Sequence, residues 1–190
     1  MPEAAQFKHL QLGCLSVDVV IQQADWLVGD MAGIAEQAAA TAQAAYLAGL
    51  AANNANIPDG ENAGLAEICI RLTDDAEVAA LNKTWRGKSG PTNVLSFPAA
   101  FPAELPETET AKLPEMLGDI VLARETLMRE ADAAGVLLMN HFRHLVVHGV
   151  LHLLGYDHEQ SAEAEIMETL EVQILAAMDI PSPYQHGDAA

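Results

Sequence analysis

The stretch HGVLHLLGYDH, at positions 148–158, constrains the fold of this 190-residue chain more than any other feature. Its histidines, His148, His152 and His158, stand four and six residues apart, with Gly155 between the last two. Two histidines four residues apart on a helix lie on one face, about one turn from each other. A glycine can take the left-handed conformation that ends a helix, so the chain can turn back toward that face. The spacing therefore predicts a helix that ends at Gly155 and three imidazoles around one point.

Three neutral imidazoles are typical of a Zn²⁺ site, and they leave one position open for water, as catalytic zinc sites do. Ni, Cu and Fe also accept imidazole ligands. A purely structural metal is one alternative, and core histidines that bond to carbonyl groups are another. We expect one Zn²⁺ per chain, bound by His148, His152 and His158.

Two further histidines, His141 and His144, precede this set on the same predicted helix. His144 and His152 are eight residues apart, or about 12 Å along a helix at about 1.5 Å per residue. Metal–nitrogen bonds are only about 2 Å long, so His144, His148 and His152 cannot share one ion. We therefore expect His141 and His144 to pair with core carboxylates or with surface groups.

The residue after the first histidine of the set argues against one class of zinc hydrolase. Zinc proteases carry a Glu at that position as the general base, and this chain has Gly149. Asp119 and Asp157 are candidates for orienting the metal ligands or for moving a proton, and either serves equally well as a helix cap or turn residue. The ordinary protease mechanism therefore lacks its base.

A short basic segment supplies the second group of candidate site residues. The net charge of −18 argues against binding of nucleic acid by bulk attraction. Nevertheless Lys83, Arg86 and Lys88 fall within six positions, in a stretch from 78 to 103 without Asp or Glu. A guanidinium matches phosphate in fork geometry, so we expect Arg86 to contact a phosphate, with Lys83 and Lys88 as further phosphate contacts. A solvated loop arginine is the alternative.

Hydrophobic periodicity and turn residues predict an α+β domain, with a small mixed four-stranded sheet packed by several helices. The predicted metal site lies on the helix that ends at the glycine turn. Strands are predicted over 15–21, 65–72, 92–97 and 117–122, and helices over 26–52, from Asp74 through Asn82, and over 124–134, 139–154 and 161–178. A proline-broken connection separates the last two strands. We expect a single domain over residues 1–180 and a frayed tail over residues 181–190.

The sequence also predicts where the protein works. No secretory signal and no run of about 20 apolar residues is recognisable, which favours a cytoplasmic protein without membrane contact. Cys14 and Cys69 are expected to be reduced in that compartment.

Three segments of the chain resemble the YbeY family of bacterial endoribonucleases, which are ribosomal RNA maturation factors. These segments are LNKTWRGKSGPTNVLSFP at 81–98, LGDIVLA at 117–123 and HLVVHGVLHLLGYDH at 144–158. The resemblance implies zinc at His148, His152 and His158, and a catalytic arginine at Arg86. It also implies single-strand-specific RNA cleavage in ribosomal RNA processing, notably at the 3′ end of the small-subunit RNA, and a role in ribosome quality control. RNA and the ribosomal small subunit or its assembly proteins are the implied partners.

The chain departs from the family pattern in a few places. Asn93 stands where the family often has Asp, Trp85 stands where it often has Tyr, and the segment 31–64 is long and rich in Ala. Two alternative functions remain: a ribosome-assembly binding module with a structural zinc, and another zinc hydrolase such as a weak protease. The proton acceptor is open among Asp119, Asp157, Glu159 and a second water, and the RNA 2′-hydroxyl is an alternative nucleophile.

Overall fold

The structure is a computed structural model that describes residues 5–27, 33–53, 66–99 and 115–184. Within these ranges it has five strands, β1 (Gln6–Leu12), β2 (Leu15–Ile21), β3 (Ala66–Thr73), β4 (Val94–Pro98) and β5 (Glu115–Ala123). It also has five α-helices, α1 (Ile34–Ala52), α2 (Asp75–Arg86), α3 (Arg124–Ala134), α4 (Leu138–Leu153) and α5 (Ser161–Ala176), and a 3-10 turn at Ala24–Leu27.

The strands form one mixed sheet in the order β1-β2-β3-β5-β4. β2, β3 and β5 are parallel, and the two outer strands, β1 and β4, each pair antiparallel with their neighbour. The predicted α+β class with a small mixed sheet is confirmed, but the sheet has five strands instead of four. The strand missed was β1, whose mostly exposed side chains at the sheet edge need no alternation of apolar residues.

The predicted helix over 26–52 corresponds to two separate elements. The 3-10 turn Ala24–Leu27 buries Trp26, and α1 begins only at Ile34; residues 28–32 lie outside the described part of the chain. Alanines at 35, 38, 42 and 45 of α1 are buried, so this Ala-rich helix approaches its neighbours closely. The predicted break over 53–60, apart from Asn53, and the connection from 100 to 114 also lie outside the described residues.

Helix α4 is the element that carries His148 and His152. It packs against α1, β4, β5 and α5. A Cβ built on Gly149 would lie only 2.9 Å from Cγ2 of the buried Ile120 on β5, so glycine lets the helix lie directly on the sheet. This close packing also sets α4 against β4, the strand that follows the basic segment.

Three smaller predictions concern the tail, the cysteines and the membrane. Residues 185–190 lie outside the described part of the chain, whereas residues 181–184 are described, and the assignment of 1–180 to one domain stays a prediction. Cys14 and Cys69 are both free thiols, as expected. None of the helices described here has the length and apolar character that crossing a bilayer requires.

Candidate metal centre

The turn after α4 brings the third histidine to the first two. Gly155 has φ 87°, its N–H donates to the carbonyl of His152 at 3.0 Å, and Tyr156 N–H donates to the carbonyl of Leu151 at 3.0 Å. These two bonds make a Schellman motif, which ends the helix and reverses the chain. The predicted glycine turn is therefore present, and it directs His158 back toward α4.

The three imidazoles lie close enough together to share one ion. The ring centroids of His148 and His152 are 4.6 Å apart, and His158 lies 5.3 Å from the first and 5.0 Å from the second. One nitrogen from each ring lies within 4.8 Å of the others. The two helical histidines are partly buried and His158 is exposed, so the group opens to solvent on one side.

Hydrogen bonds determine which nitrogen of each helical histidine carries the proton. His152 Nδ1 lies 3.0 Å from the carbonyl oxygen of Tyr156, which can only accept, so Nδ1 donates. His148 Nδ1 lies 2.8 Å from Oε1 of Glu171 and donates to that carboxylate. When neutral, rings held in this way present bare Nε2 lone pairs, and these two Nε2 atoms are only 3.1 Å apart. Facing lone pairs repel unless a positive charge lies between them, and two tetrahedral zinc ligands would be about 3.3 Å apart.

Glu171 of α5 is the buried carboxylate that accepts the Nδ1 proton of His148. It is completely buried, and besides the bond from His148 it accepts one from His144 Nε2 at 3.0 Å and one from the Tyr184 hydroxyl. Burial raises the pKa of Glu171, but the hydrogen bonds from His144, His148 and Tyr184 outweigh this and lower it to about 2. Glu171 is therefore an anion, and it holds His148 in the tautomer that a metal needs.

Burial and the neighbouring His148 ring lower the pKa of His152 from its ordinary value. A lowered pKa keeps the ring neutral at neutral pH, and a neutral imidazole is the form that binds a metal. The residues present therefore fit a divalent cation on two grounds, the close pair of bare nitrogens and the neutral state of His152.

A second group, His144, His148 and Glu171, also has its ligand atoms close together. In this group, however, each nitrogen–oxygen contact of 2.8–3.0 Å is a hydrogen bond with a proton on the histidine, so no cation is required. The set of His148, His152 and His158 is the one in which two nitrogens face each other without an intervening carboxylate, an arrangement that a shared cation stabilises. Glu171 accepts the Nδ1 proton of His148 on the other side of that ring.

A cleft of about 540 Å³ connects the histidines to the basic segment. Arg86 ends α2, and Gly87 after it has φ 66°, the left-handed conformation that stops the helix. Residues of β4 and of the turn before it line the same cleft. The cleft is lined by Arg86, Lys88, Thr92, Asn93, Val94, Ser96, His148, His152, Asp157, His158 and Glu159.

Comparison with known proteins decides the family. The family model described as "Endoribonuclease YbeY" matches residues 32–179. The Endoribonuclease YbeY of Azorhizobium caulinodans is 46% identical over 170 residues, which is 90% of this chain and 96% of the relative. This chain belongs to the YbeY family. The YbeY protein of Rhodopseudomonas palustris is 50% identical over 153 residues, 80% of this chain and 88% of the relative. A solution structure of a Thermotoga maritima protein matches with a TM-score of 0.46 and 21% identity, over 85% of this chain and 96% of its own.

Within this YbeY chain, the predicted site residues fall into two groups. Arg86, Lys88 and Asp157 lie in the cleft with the three histidines, and Asp157 Oδ1 accepts from the backbone N–H of His158 at 2.7 Å. Lys83 is exposed on α2 and does not line the cleft. Asp119 pairs with Phe97 across β5 and β4 and lies next to Cys69, away from the cleft.

The two histidines set aside from the metal do bind carboxylates. His141 Nε2 lies 2.9 Å from Glu130, and His144 Nε2 lies 3.0 Å from Glu171, as the sequence predicts. Burial raises the pKa of Glu130, but bonds from His141 and Asn93 outweigh this and lower it.

Sequence reasoning missed Glu171 and Tyr184 in this YbeY protein. Glu171 lies on the buried face of α5, together with the buried Leu170, Ile174 and Leu175. An acid among the apolar residues of an amphipathic helix is a usable signal, because buried carboxylates need a partner. Nothing in the tail sequence identifies Tyr184 as that partner.

Proposed function

We propose that this chain is a metal-dependent endoribonuclease that cleaves single-stranded RNA in the cleft. The observation that carries the proposal is that one cavity holds three imidazoles suited to a metal and, beside them, Arg86 and Lys88. A Lewis acid together with a fixed cation is what phosphodiester cleavage needs. The names of the family and of the curated relatives support the same activity.

His148, His152 and His158 would hold the metal, which we propose to be one Zn²⁺ per chain. All-imidazole ligation suits zinc best among common divalent ions. When bound there, zinc supplies Lewis acidity that withdraws charge from oxygen and makes water easier to deprotonate.

The chain's own residues bind the substrate and move the proton. Arg86 stabilises the negative charge that grows on the phosphoryl oxygens, and Lys88 attracts the phosphate backbone into the cleft. Asp157 and Glu159 line the same cavity, so they are the proposed proton acceptors. Asp119 is not proposed for this step, because its side chain lies outside the cleft.

The steric surroundings of Gly149 disfavour the protease alternative. A zinc protease needs a Glu directly after the first histidine, but even a Cβ at position 149 would meet three side-chain carbons of Ile120 within 2.9–3.2 Å. A glutamate does not fit at this contact between α4 and β5. The metal site therefore lacks room for the base of that mechanism.

The resemblance to YbeY proteins supports a more specific biological role. We propose that the substrate is ribosomal RNA, processed at the 3′ end of the small-subunit RNA and during ribosome quality control. The net charge of −18 disfavours tight unaided binding of RNA, so we propose that the small subunit or an assembly protein docks the enzyme. The cytoplasmic location stays a prediction.

An RNA-cleavage assay tests the proposal. Zinc-loaded wild type should cleave single-stranded RNA, leave the duplex form of that RNA intact and fail to digest casein. Arg86→Ala should keep its zinc and its melting temperature, yet cleave about 100-fold or more slowly. The product ends separate the nucleophiles, because attack by the 2′-hydroxyl leaves a cyclic phosphate.

Three results together would instead support the alternative of a ribosome-assembly binding module. If zinc-loaded wild type cleaves no RNA, while zinc removal lowers the melting temperature and Arg86→Ala still supports ribosome maturation, the zinc is structural. That combination would contradict the endoribonuclease proposal.

A further inference from the structure

Trp85 is a large aromatic side chain that the fold leaves in solvent. It stands in the last turn of α2 and is 70% exposed, whereas Trp26, the other tryptophan of the chain, is fully buried. A single exposed apolar side chain is common on proteins and needs no function. The surroundings of Trp85 are what distinguish it.

An aromatic partner lies against Trp85. The ring centroids of Trp85 and Phe97 are 6.2 Å apart and their planes meet at 67°, an edge-to-face arrangement. Phe97 is partly buried and packs against a small core cluster of Val78, Leu95, Val121 and Ala123. Since Phe97 is held by the core, the pair forms an aromatic surface of defined position.

The pair lies just outside the cleft, around the edge of the sheet. Val94 and Ser96 of β4 line the cleft, and strand alternation puts Phe97 on the opposite face of β4. Arg86, the neighbour of Trp85 in sequence, lines the cleft itself. A chain that leaves the cleft past Arg86 therefore meets Trp85 next.

The charge around Trp85 suits a polyanion. Lys83, Arg86 and Lys88 surround it in sequence, and the stretch from 78 to 103 contains no acid in a protein of net charge −18. Proteins that bind single strands combine such cations, which follow the phosphates, with exposed aromatic rings on which bases stack.

We propose that Trp85 and Phe97 form a stacking site for one unpaired base of the RNA substrate, next to the cleft. This inference rests on the proposed endoribonuclease function and deepens it. Stacking accepts every base, because each has a π-face, so the site binds without a strong sequence preference. Bases in a duplex are already stacked and paired, so the site favours single strands.

Tryptophan fluorescence gives a direct readout of this site. The RNA probe for binding is a single-stranded decamer with 2′-O-methyl sugars, which keeps its bases and phosphates but lacks the 2′-hydroxyl nucleophile. Its addition to the zinc-loaded protein should quench the emission of the exposed Trp85 and leave that of the buried Trp26. Trp85→Phe retains only Trp26 and should show no quenching. Gel analysis of the RNA verifies that the decamer is intact during the titration.

Affinity measurements separate stacking from charge. Trp85→Ala should bind the RNA decamer about ten-fold or more weakly, whereas Trp85→Phe keeps a ring and should stay within about three-fold of wild type. A decamer of abasic nucleotides, which has phosphates without bases, should bind equally to wild type and Trp85→Ala. Phe7→Ala removes an exposed aromatic from β1 at the far edge of the sheet and should change neither affinity.

The outcomes are distinguishable from failure of the proposed function. RNA cleavage by wild type together with unchanged RNA affinity in Trp85→Ala, at an unchanged melting temperature, would overturn the stacking site alone. A wild type that holds zinc but neither binds nor cleaves RNA would overturn both proposals. An equal loss of affinity for RNA and for the abasic decamer would also overturn stacking, since the bases would then make no difference.

Discussion

Glu171 Oε1 accepts the Nδ1 proton of His148 at 2.8 Å, which links the last helix to the face of α4 that carries His148 and His152. The bond leaves His148 Nε2 bare and pointed at His152 Nε2. Because the carboxylate is fully buried and also accepts from His144 and Tyr184, it has little freedom to move. Residues 23 positions apart thus determine together which nitrogen of His148 faces the other histidines.

Glu171→Gln is expected to lower zinc affinity by about 10- to 100-fold, because an amide is a weaker acceptor and no longer favours the Nδ1–H tautomer of His148. Competition against a chelator of known affinity measures the change without any activity assay. Glu165→Gln, at an exposed position on the same helix, is the matched control and should bind zinc as wild type does. Equal zinc affinity in Glu171→Gln and wild type would contradict the orienting role.

His152→Ala is expected to abolish stoichiometric metal binding, since the variant lacks the imidazole whose Nε2 faces His148. Mass spectrometry of the purified proteins should find about one zinc per wild-type chain and almost none in the variant. His9→Ala, which removes a histidine that bonds Asp18 on the outer hairpin, should keep its zinc. Metal-free wild type after purification and zinc addition would refute the proposed site.

Gly149→Ala is expected to lower the free energy of unfolding by about 1–3 kcal/mol, because the new methyl group overlaps Ile120. Urea denaturation measures the loss. In an Ile120→Ala background the clashing atoms are gone, so the same substitution should be neutral, or stabilising by up to about 1 kcal/mol through helix propensity. An equal loss in both backgrounds would show that this contact is not the cause.

Asp75→Asn is expected to destabilise the protein at neutral pH and to matter less in acid. Asp75 Oδ1 accepts from the Thr126 N–H at 2.9 Å, and Oδ2 accepts from Arg129 at 2.9 Å, which ties α2 to the start of α3. Burial raises the pKa of Asp75, but the bonds from Thr126 and Arg129 outweigh this and lower it. A lowered folded pKa means that the stabilisation is complete above the ordinary value of about 3.9 and is lost as the pH falls through the folded pKa.

Urea unfolding at pH 7 and below pH 4 checks this pH dependence. The variant should be less stable than wild type by about 1–2 kcal/mol at pH 7, and the difference should shrink in acid. Asp132→Asn, at an exposed position on α3, should show no such difference. A stability difference that stays constant with pH would contradict the assignment.

The elements predicted well are those in which the pattern of apolar residues in the sequence matches the pattern of buried residues in the structure. β2 and β3 alternate and bury alternate residues, and α4 ends where Gly155 allows a left-handed turn. β1 was missed because an edge strand exposed to water carries no apolar alternation. The long helix predicted from 26 was too long because propensity alone does not register the separate 3-10 turn that buries Trp26.

The amino-acid sequence alone determined that His148, His152 and His158 come together, because they are related by one helical turn and one glycine, both of which are local geometry. It also indicated the basic segment, since Arg86 and Lys88 are neighbours in the chain. Only the tertiary structure decided that these two groups share a cleft, that Glu171 stands behind His148 and that Asp119 lies elsewhere. Those relationships depend on how β4, β5, α4 and α5 pack. Packing brings together residues that are far apart along the chain, and no local periodicity in the sequence predicts such contacts.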